Sequence, residues 1–413
     1  MRAPLYSEVP DEILSPAVLA DPQSLYRRLR QTAPIARIGD TGAHLVTSWA
    51  LVEEALGRQE DFSANLTGVV LRGPAGSPVL FPMPGTGAVD AIATADDPEH
   101  AAHRAVLQPQ LTPTRVLRME ASVRRWVDVS LDGLLAAGQG DWTALAERIP
   151  ALAIASLLGL PDSDVDHFRT WSMMGGDMLA GDIDDARLRF LGEETRRMSA
   201  YLADHLARAD ASTADRPDAT LLATLARAVE QGVIPREAAV GIAIVLFGAA
   251  GESTAALIGS SLLLLARDAD LAERLRRDPT LIPRFVEEAV RLEPPFNFHY
   301  RAVRRACRLG GYDLEPGDRL MLSWASANRD PSAVEEPDTL RLDRRHPKNH
   351  MSFGRGLHFC IGVHLARLET RIVVERTLAR TRRLALDPAK PVVHAKSIFI
   401  RRPERLPLVS EAA

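Results

Sequence analysis

Apolar residues recur three and four apart through most of the chain, the period of helices that bury one face. This spacing predicts helices over Pro22–Gln31, Trp49–Gln59, Pro98–Gln108, Arg115–Ala137, Pro150–Leu158 and Asp162–Met178. Another runs from the break at Gly181–Asp184 to about Arg208. Strand-like runs are short: Ala43–Thr47, Arg319–Trp324 and Ser397–Arg401. After Pro235, which suits a first helical turn, the sequence stays apolar to Ala266, about 30 residues or roughly 45 Å at 1.5 Å per residue. A helix that long with no polar face has to cross the core.

Two stretches break the pattern. Ala209–Pro217 is polar and reads as a surface loop. Asn65–Ala95 contains Gly73, Pro74, Gly76, Pro78, Pro82, Pro84, Gly85 and Gly87, an irregular length that is uncommon unless it serves a function. Residues 66–96 are therefore expected to form a lid over a substrate. No linker, composition break or repeat interrupts the rest, so residues 1–413 are read as a single domain, mainly α with small β-sheets.

Composition narrows the function. With 46% hydrophobic residues and 25% charged, the chain can build a core large enough to enclose a cofactor. A net charge of -4, with no basic block interleaved with aromatics, argues against nucleic acid. The first residues lack a basic flank followed by an apolar core, and no run is read as a membrane span, so a cytoplasmic protein is expected. The two cysteines, Cys307 and Cys360, are too few for a disulfide framework.

The strongest chemical signal is Phe353-Gly-Arg-Gly-Leu-His-Phe-Cys360-Ile-Gly362 ahead of the helical run Val363–Arg380. A glycine-rich loop brings a cysteine to a helix start, where unpaired amides favour an anion and lower a thiol pKa. Gly354 and Gly356 allow a tight bend, and Gly362 permits something flat to approach the backbone. A lone cysteine is usually a small buried hydrophobe, the reading given to Cys307 in Arg-Arg-Ala-Cys-Arg; the setting of Cys360 argues for a ligand. Glu288 and Arg291, three apart, would alone be a surface pair worth a few tenths of a kcal/mol. In the long helix, Gly251 and Thr254 predict a local distortion.

At these residues the chain resembles the cytochrome P-450 superfamily, whose haem loop reads Phe-x-x-Gly-x-x-x-Cys-x-Gly; Phe353, Gly356, Cys360 and Gly362 match. The resemblance, which extends from about Pro22 to Pro407, implies the P-450 fold, with haem b between the long central helix and the helix after the cysteine loop. It implies a Cys360 thiolate on the iron, whose electron donation favours O–O cleavage. Phe353, Gly354 and Gly362 would surround the haem, and His100, Arg104, Arg301 and His358 would meet its propionates. Glu288, Arg291 and Arg344 would form a structural network behind the loop. Ala250, Gly251 and Thr254 match the family's oxygen groove, with Ser253 where an acid is usual. Glu252 stands one place earlier, about 100° around the helix. Thr254 is thus expected to be the main groove hydroxyl, with Ser253 and Glu252 as relay members.

The expected substrate lining is Val79, Phe81, Met83, Trp171, Met174, Phe247, Ala250, Phe296, Asn297, His299 and Phe399, with Phe298 as a further aromatic. The long lid and the lack of a fused reductase resemble family members that tailor secondary metabolites, which with these aromatics implies oxidation of an aromatic secondary metabolite, while the Gly-Glu-Ser-Thr variant is similar to that of bacterial relatives acting on cyclodipeptides. Oxidative C–C or C–N coupling of cyclodipeptides is the alternative, as are peroxide-driven oxidation and, from another class, a non-catalytic haem-thiolate sensor. No flavin or iron–sulfur pattern occurs in the chain, so dioxygen chemistry would draw electrons from a separate ferredoxin and NAD(P)H-dependent ferredoxin reductase. Arg104, Arg115, Arg118, Arg124, Arg125 and Arg355 are candidates for a basic docking face.

Overall fold

In a computed structural model of the chain, which describes residues 8–9, 11–83 and 90–413, the apolar run after Pro235 forms one helix, Arg236–Arg267. Its 32 residues span about 48 Å. Contrary to the sequence reading, it is long and apolar enough to cross a membrane, but most of that surface is buried inside the protein. It packs against Thr143–Leu158, Val165–Ser172, Asp185–Arg208 and Val363–Arg380. One half, with Ile242 and Phe247, joins a core that includes Phe168, Leu202 and Leu225. The other half, with Leu257 and Leu262, joins Leu365, Leu368 and Ile372 of the helix after the cysteine loop.

The main sheet runs, in spatial order, Glu8–Val9, Ile35–Ile38, Ala43–Val46, Arg319–Ser323, Phe298–Val303 and Phe62–Ser63. Arg319–Ser323 pairs parallel with Ala43–Val46 and antiparallel with Phe298–Val303. Alternation along Phe298–Val303 sends Phe298 and Tyr300 into the core and turns His299 and Arg301 toward an internal cavity.

Several expected elements differ. The presumed irregular lid contains a hairpin, Gly68–Arg72 paired antiparallel with Pro78–Pro82, because Val69, Val70 and Leu71 offer a buried strand face; residues 84–89 lie outside the described set. Ser397–Arg401 is not a strand. It makes one bridge, Phe296 to Ile400, while Ser397 Oγ accepts the N–H groups of Phe399 and Ile400 at 3.1 and 3.0 Å, a local turn that competes with a ladder. The Arg115–Ala137 helix is split into Pro113–Leu117 and Glu120–Ala137. The Pro150 helix begins at Thr143 and carries the proline inside it. Asp162–Met178 shortens to Val165–Ser172, ahead of two glycines that meet the central helix.

The charged residues behind the cysteine loop form one interior network. Arg291 donates to both oxygens of Glu288 at 2.8 Å, and Arg344 Nε and the Arg341 amide each add a bond at 2.9 Å. Burial raises the Glu288 proton affinity, but these donors outweigh it and hold the carboxyl below its usual range. The same guanidiniums reach the carbonyls of Pro337, Thr339 and Glu335, fixing the chain that leads to the loop. Beside it, Glu287 is clasped by Arg367 at 2.7 and 2.8 Å and by His350 at 3.1 Å, which ties Ile282–Leu292 to Val363–Arg380. Asn328 accepts the Met351 amide at 2.6 Å and donates to Ser352 at 2.8 Å.

Glu288→Ala would leave Arg291, which is 1% exposed, buried without its counter-ion. Breaking such a pair costs about 3–5 kcal/mol, most of a domain's margin. We expect a strongly lowered melting temperature and yield; a parent-like melting temperature would contradict the account.

Candidate active site

The cysteine loop is shaped by two left-handed glycines, Gly354 and Gly356, both at φ +68°. An L side chain is strained there, which explains the glycine at each. The Cys360 amide donates to the Phe353 carbonyl at 2.8 Å and closes the loop. Arg367, held by Glu287, lies over the Phe353 ring at 4.9 Å. Arg104 Nη1 donates to the carbonyls of Phe359 and Leu357 at 2.9 and 3.3 Å, so its first task is to hold the loop.

The loop faces a cavity of about 220 Å³. Cys360, Phe353, Gly354, Gly362, Ile361 and Ala366 form one wall, and Leu246, Ala249, Ala250, Ser253, Thr254 and Leu257 of the central helix also line it. His100, Arg104, Arg301 and His358 are at its edge, with Phe296, His299 and Trp324 nearby. Most of the predicted site therefore comes together.

Its electrostatics require a guest. Arg301 is 8% exposed and donates only to the neighbouring Tyr300 carbonyl, at 2.7 Å, among the described residues; burial lowers its pKa to about 10. Burial, and then Arg301, push His358 down to about 3, which leaves it uncharged, and buried His100 Nδ1 has only a loose contact, 3.4 Å to Asp97 Oδ1. A buried guanidinium without a hydrogen-bonded anion is costly, and neutral imidazoles beside it can donate to the same guest. An anionic group at this edge would satisfy them. The helix start does not lower the Cys360 thiol as the sequence suggested: burial raises it, against the Gly362 amide, Arg104 and Arg367. A thiolate here needs a bound cation to hold it. A flat, iron-bearing dianion with two carboxylates fits both demands.

Other expectations fail for reasons of packing. Gly251 does not line the cavity: a Cβ there would lie 2.2 Å from Ser172 Cβ, so glycine lets Val165–Ser172 close on the central helix. Glu252 faces the same way, accepting the Gly176 amide at 2.6 Å and Arg402 Nε at 3.2 Å. Burial, opposed by Arg402, raises its pKa to about 7. Trp171, Met174 and Phe247 belong to the core with Phe168, whose ring is 5.6 Å from Phe247. Phe399 stacks behind Phe296 at 4.7 Å, and Asn297 is spent on the Ile398 carbonyl at 2.9 Å. Val79 and Phe81 are 41% and 42% exposed on the hairpin, and Met83 packs beside it. The reading missed Ile92, Ala93, Val245, Leu246, Ala249, Pro295 and Trp324. Leu246, Ala249 and Ser253 share the Ala250 face by helical spacing, a signal available in the sequence.

Fold and cavity together define a haem-thiolate oxidoreductase. The sequence profile of the cytochrome P450 family matches residues 193–405. Cytochrome P450 144 of Mycobacterium tuberculosis is 40% identical over 94% of this chain and 88% of its own. A crystal structure of CYP109E1 from Bacillus megaterium with testosterone superposes with a TM-score of 0.82, 27% identity and coverage of 95% and 98% of the two chains. The structure of CxnD, a cytochrome P450 enzyme for C–S bond formation in chuangxinmycin biosynthesis, gives 0.85, 28% and 98% of each. The chain belongs to the cytochrome P450 family; it is an oxidoreductase of the monooxygenase type that uses thiolate-ligated haem b.

Glu252 provides a pH test. Its carboxyl binds a proton more tightly folded, at about 7, than at its ordinary 4.5. Its contribution to stability is therefore intact below about pH 4.5 and is lost as pH rises toward 7. Glu252→Gln should remove that slope, shifting unfolding free energy toward the variant by on the order of 3 kcal/mol between pH 5 and 8. Parallel stability profiles in chemical denaturation at the two pH values would contradict the assignment.

Proposed function

We propose that this cytochrome P450 oxygenates a neutral, largely apolar small molecule. The observation carrying this is the lining: Val245, Leu246, Ala249, Ala250, Pro295 and Phe296 are apolar, and the described lining contains no carboxylate and no lysine. With Arg301, His358 and His100 given over to the haem carboxylates, a charged guest against this apolar wall would lose its hydration without gaining a partner. Bound haem supplies reductive activation of dioxygen and transfer of one oxygen atom to the substrate. Cys360 Sγ would hold the haem iron, and Arg301, His358 and His100 would meet the haem carboxylates. Arg104 keeps the ligand loop in place through its carbonyls. Ser253, whose Oγ donates to the Ala249 carbonyl, is more open to the cavity than the 3%-exposed Thr254. Ser253 therefore replaces Thr254 as the first hydroxyl to hand a proton into the cavity, while Glu252, turned away to the Gly176 amide and Arg402, takes no part in that relay.

Electrons come, in this reading, from a separate ferredoxin and its NAD(P)H-dependent reductase. Arg104, Arg115 and Arg118 donate to backbone carbonyls rather than carboxylates and so keep their charge for an acidic carrier. Arg124 and Arg355 are instead paired with Glu120, Glu375 and Glu53. With the longest apolar helix buried in the core, a cytoplasmic location belongs to the same reading. Of the aromatics proposed to greet an aromatic metabolite, Phe296 and His299 line the cavity, which supports an aromatic guest less than an aliphatic or alicyclic one. Coupling without oxygen insertion is the second reading, because CxnD, at 28% identity, forms a C–S bond.

The test is a Soret titration with testosterone, a tryptophan-containing cyclodipeptide and a long-chain fatty acid, followed by turnover with a surrogate ferredoxin system under isotopically labelled dioxygen. We expect a neutral probe to bind at least about tenfold more tightly than the carboxylate, and its product to carry one labelled oxygen atom. Preferential binding of the fatty acid would overturn the substrate class, and an unlabelled, coupled product would favour the second reading.

A further inference from the structure

We propose that His103 is a positioning residue for substrate fit, holding Ile92 against the cavity by accepting its backbone N–H. Ile92 and Ala93 are the whole contribution of the described residues between Asn65 and His100 to the cavity wall. Ile92 has φ +34°, a left-handed conformation rare for a β-branched side chain, which persists only where the surroundings impose it. A tight turn supplies part of that constraint: the Ala91 amide donates to Thr94 Oγ1 at 3.2 Å, the Thr94 amide to the Ala91 carbonyl at 3.1 Å, and Asn65 Nδ2 to the Thr94 carbonyl at 2.6 Å. The remaining constraint comes from His103.

The Ile92 amide donates to His103 Nδ1 at 3.3 Å. His103 is 2% exposed and stands one turn beyond cavity-lining His100 on Glu99–Leu107. An imidazole accepting at Nδ1 carries its proton on Nε2 and is uncharged. Burial, and then His100, against Glu99, hold its proton affinity down, which keeps it an acceptor. Without it, the N–H of a 7%-exposed residue would be buried unsatisfied, and the turn would leave the wall to find a partner.

The inference rests on the cavity being the haem and substrate site, so the experiment reads the two apart. Haem-loaded parent, His103→Leu and His103→Asn are titrated with imidazole, which needs only the iron, and with 4-phenylimidazole, whose ring reaches the wall. Asparagine returns an acceptor near the Nδ1 position; leucine does not. The 4-phenylimidazole preference over imidazole should fall about tenfold in His103→Leu and return to within about threefold in His103→Asn. An unchanged preference in His103→Leu, an equal loss for both ligands, or no rescue by asparagine would overturn the role. If His103→Leu does not accumulate, Ile92→Gly, which removes the side chain and the φ strain together, should show the same loss, and an unchanged preference there would overturn the proposal. Absence of any imidazole-induced Soret shift in the parent would overturn the haem reading and the proposal together.

Discussion

Glu288 carries a negative charge into the interior, and the groups that satisfy it decide where the cysteine loop lies. A carboxylate at that depth persists only where donors fill its lone pairs. Here Arg291, Arg344 and the Arg341 amide do so, and the unused hydrogens of the two guanidiniums extend to the carbonyls of residues 335–339. Glu287, Arg367 and His350 repeat the arrangement one residue away, with Arg367 reaching Phe353. A loop with two left-handed glycines has little internal structure to rely on, so its stiffness is borrowed from these charges. The sulfur of Cys360 is thereby presented to the cavity at the start of a helix that is itself locked to the core.

The cavity combines two opposite environments. At one edge, the buried Arg301 guanidinium lacks an anionic acceptor among the described residues and the imidazoles of His358 and His100 stand beside it, a costly arrangement in the free protein that becomes favourable once an anion enters. Along the central helix the wall is apolar apart from Ser253 and Thr254. An amphiphilic prosthetic group settles against the first and leaves the second to the substrate. The carboxylate of Glu252 is kept from the cavity by close helix packing: Gly175 meets Gly248, Ser172 meets Gly251, and the Gly176 amide takes the carboxylate. The glycines of this helix therefore serve helix packing as much as any groove.

The parts legible in the sequence were those written locally. The cysteine loop, the Glu288–Arg291 spacing and the apolar central helix each depend on a few neighbouring residues, and each lies where expected, whereas the Phe298–Val303 strand that turns His299 and Arg301 inward was not foreseen. The lining was less legible because a side chain's direction depends on distant partners. Trp171 turns to Glu194 and Phe247, and Phe399 is covered by Phe296. Arg104 has the right type for a propionate, yet its nearest acceptors are carbonyls of a loop far away in sequence. Glu287 carries no signal in its own stretch of sequence, because Arg367 and His350 reach it only through the fold. The hairpin at 68–82 was hidden by its prolines and glycines, although Val69–Leu71 carried a strand signal.

The measurement closest to the central claim is the difference spectrum of the reduced, carbon-monoxide-bound protein, recorded for the parent and for Cys360→His. The parent should show the long-wavelength Soret band specific to thiolate-ligated haem, and the variant should bind haem but move that band to the position of histidine-ligated proteins. A parent without the thiolate band, or a Cys360→His protein that keeps it, would contradict the account.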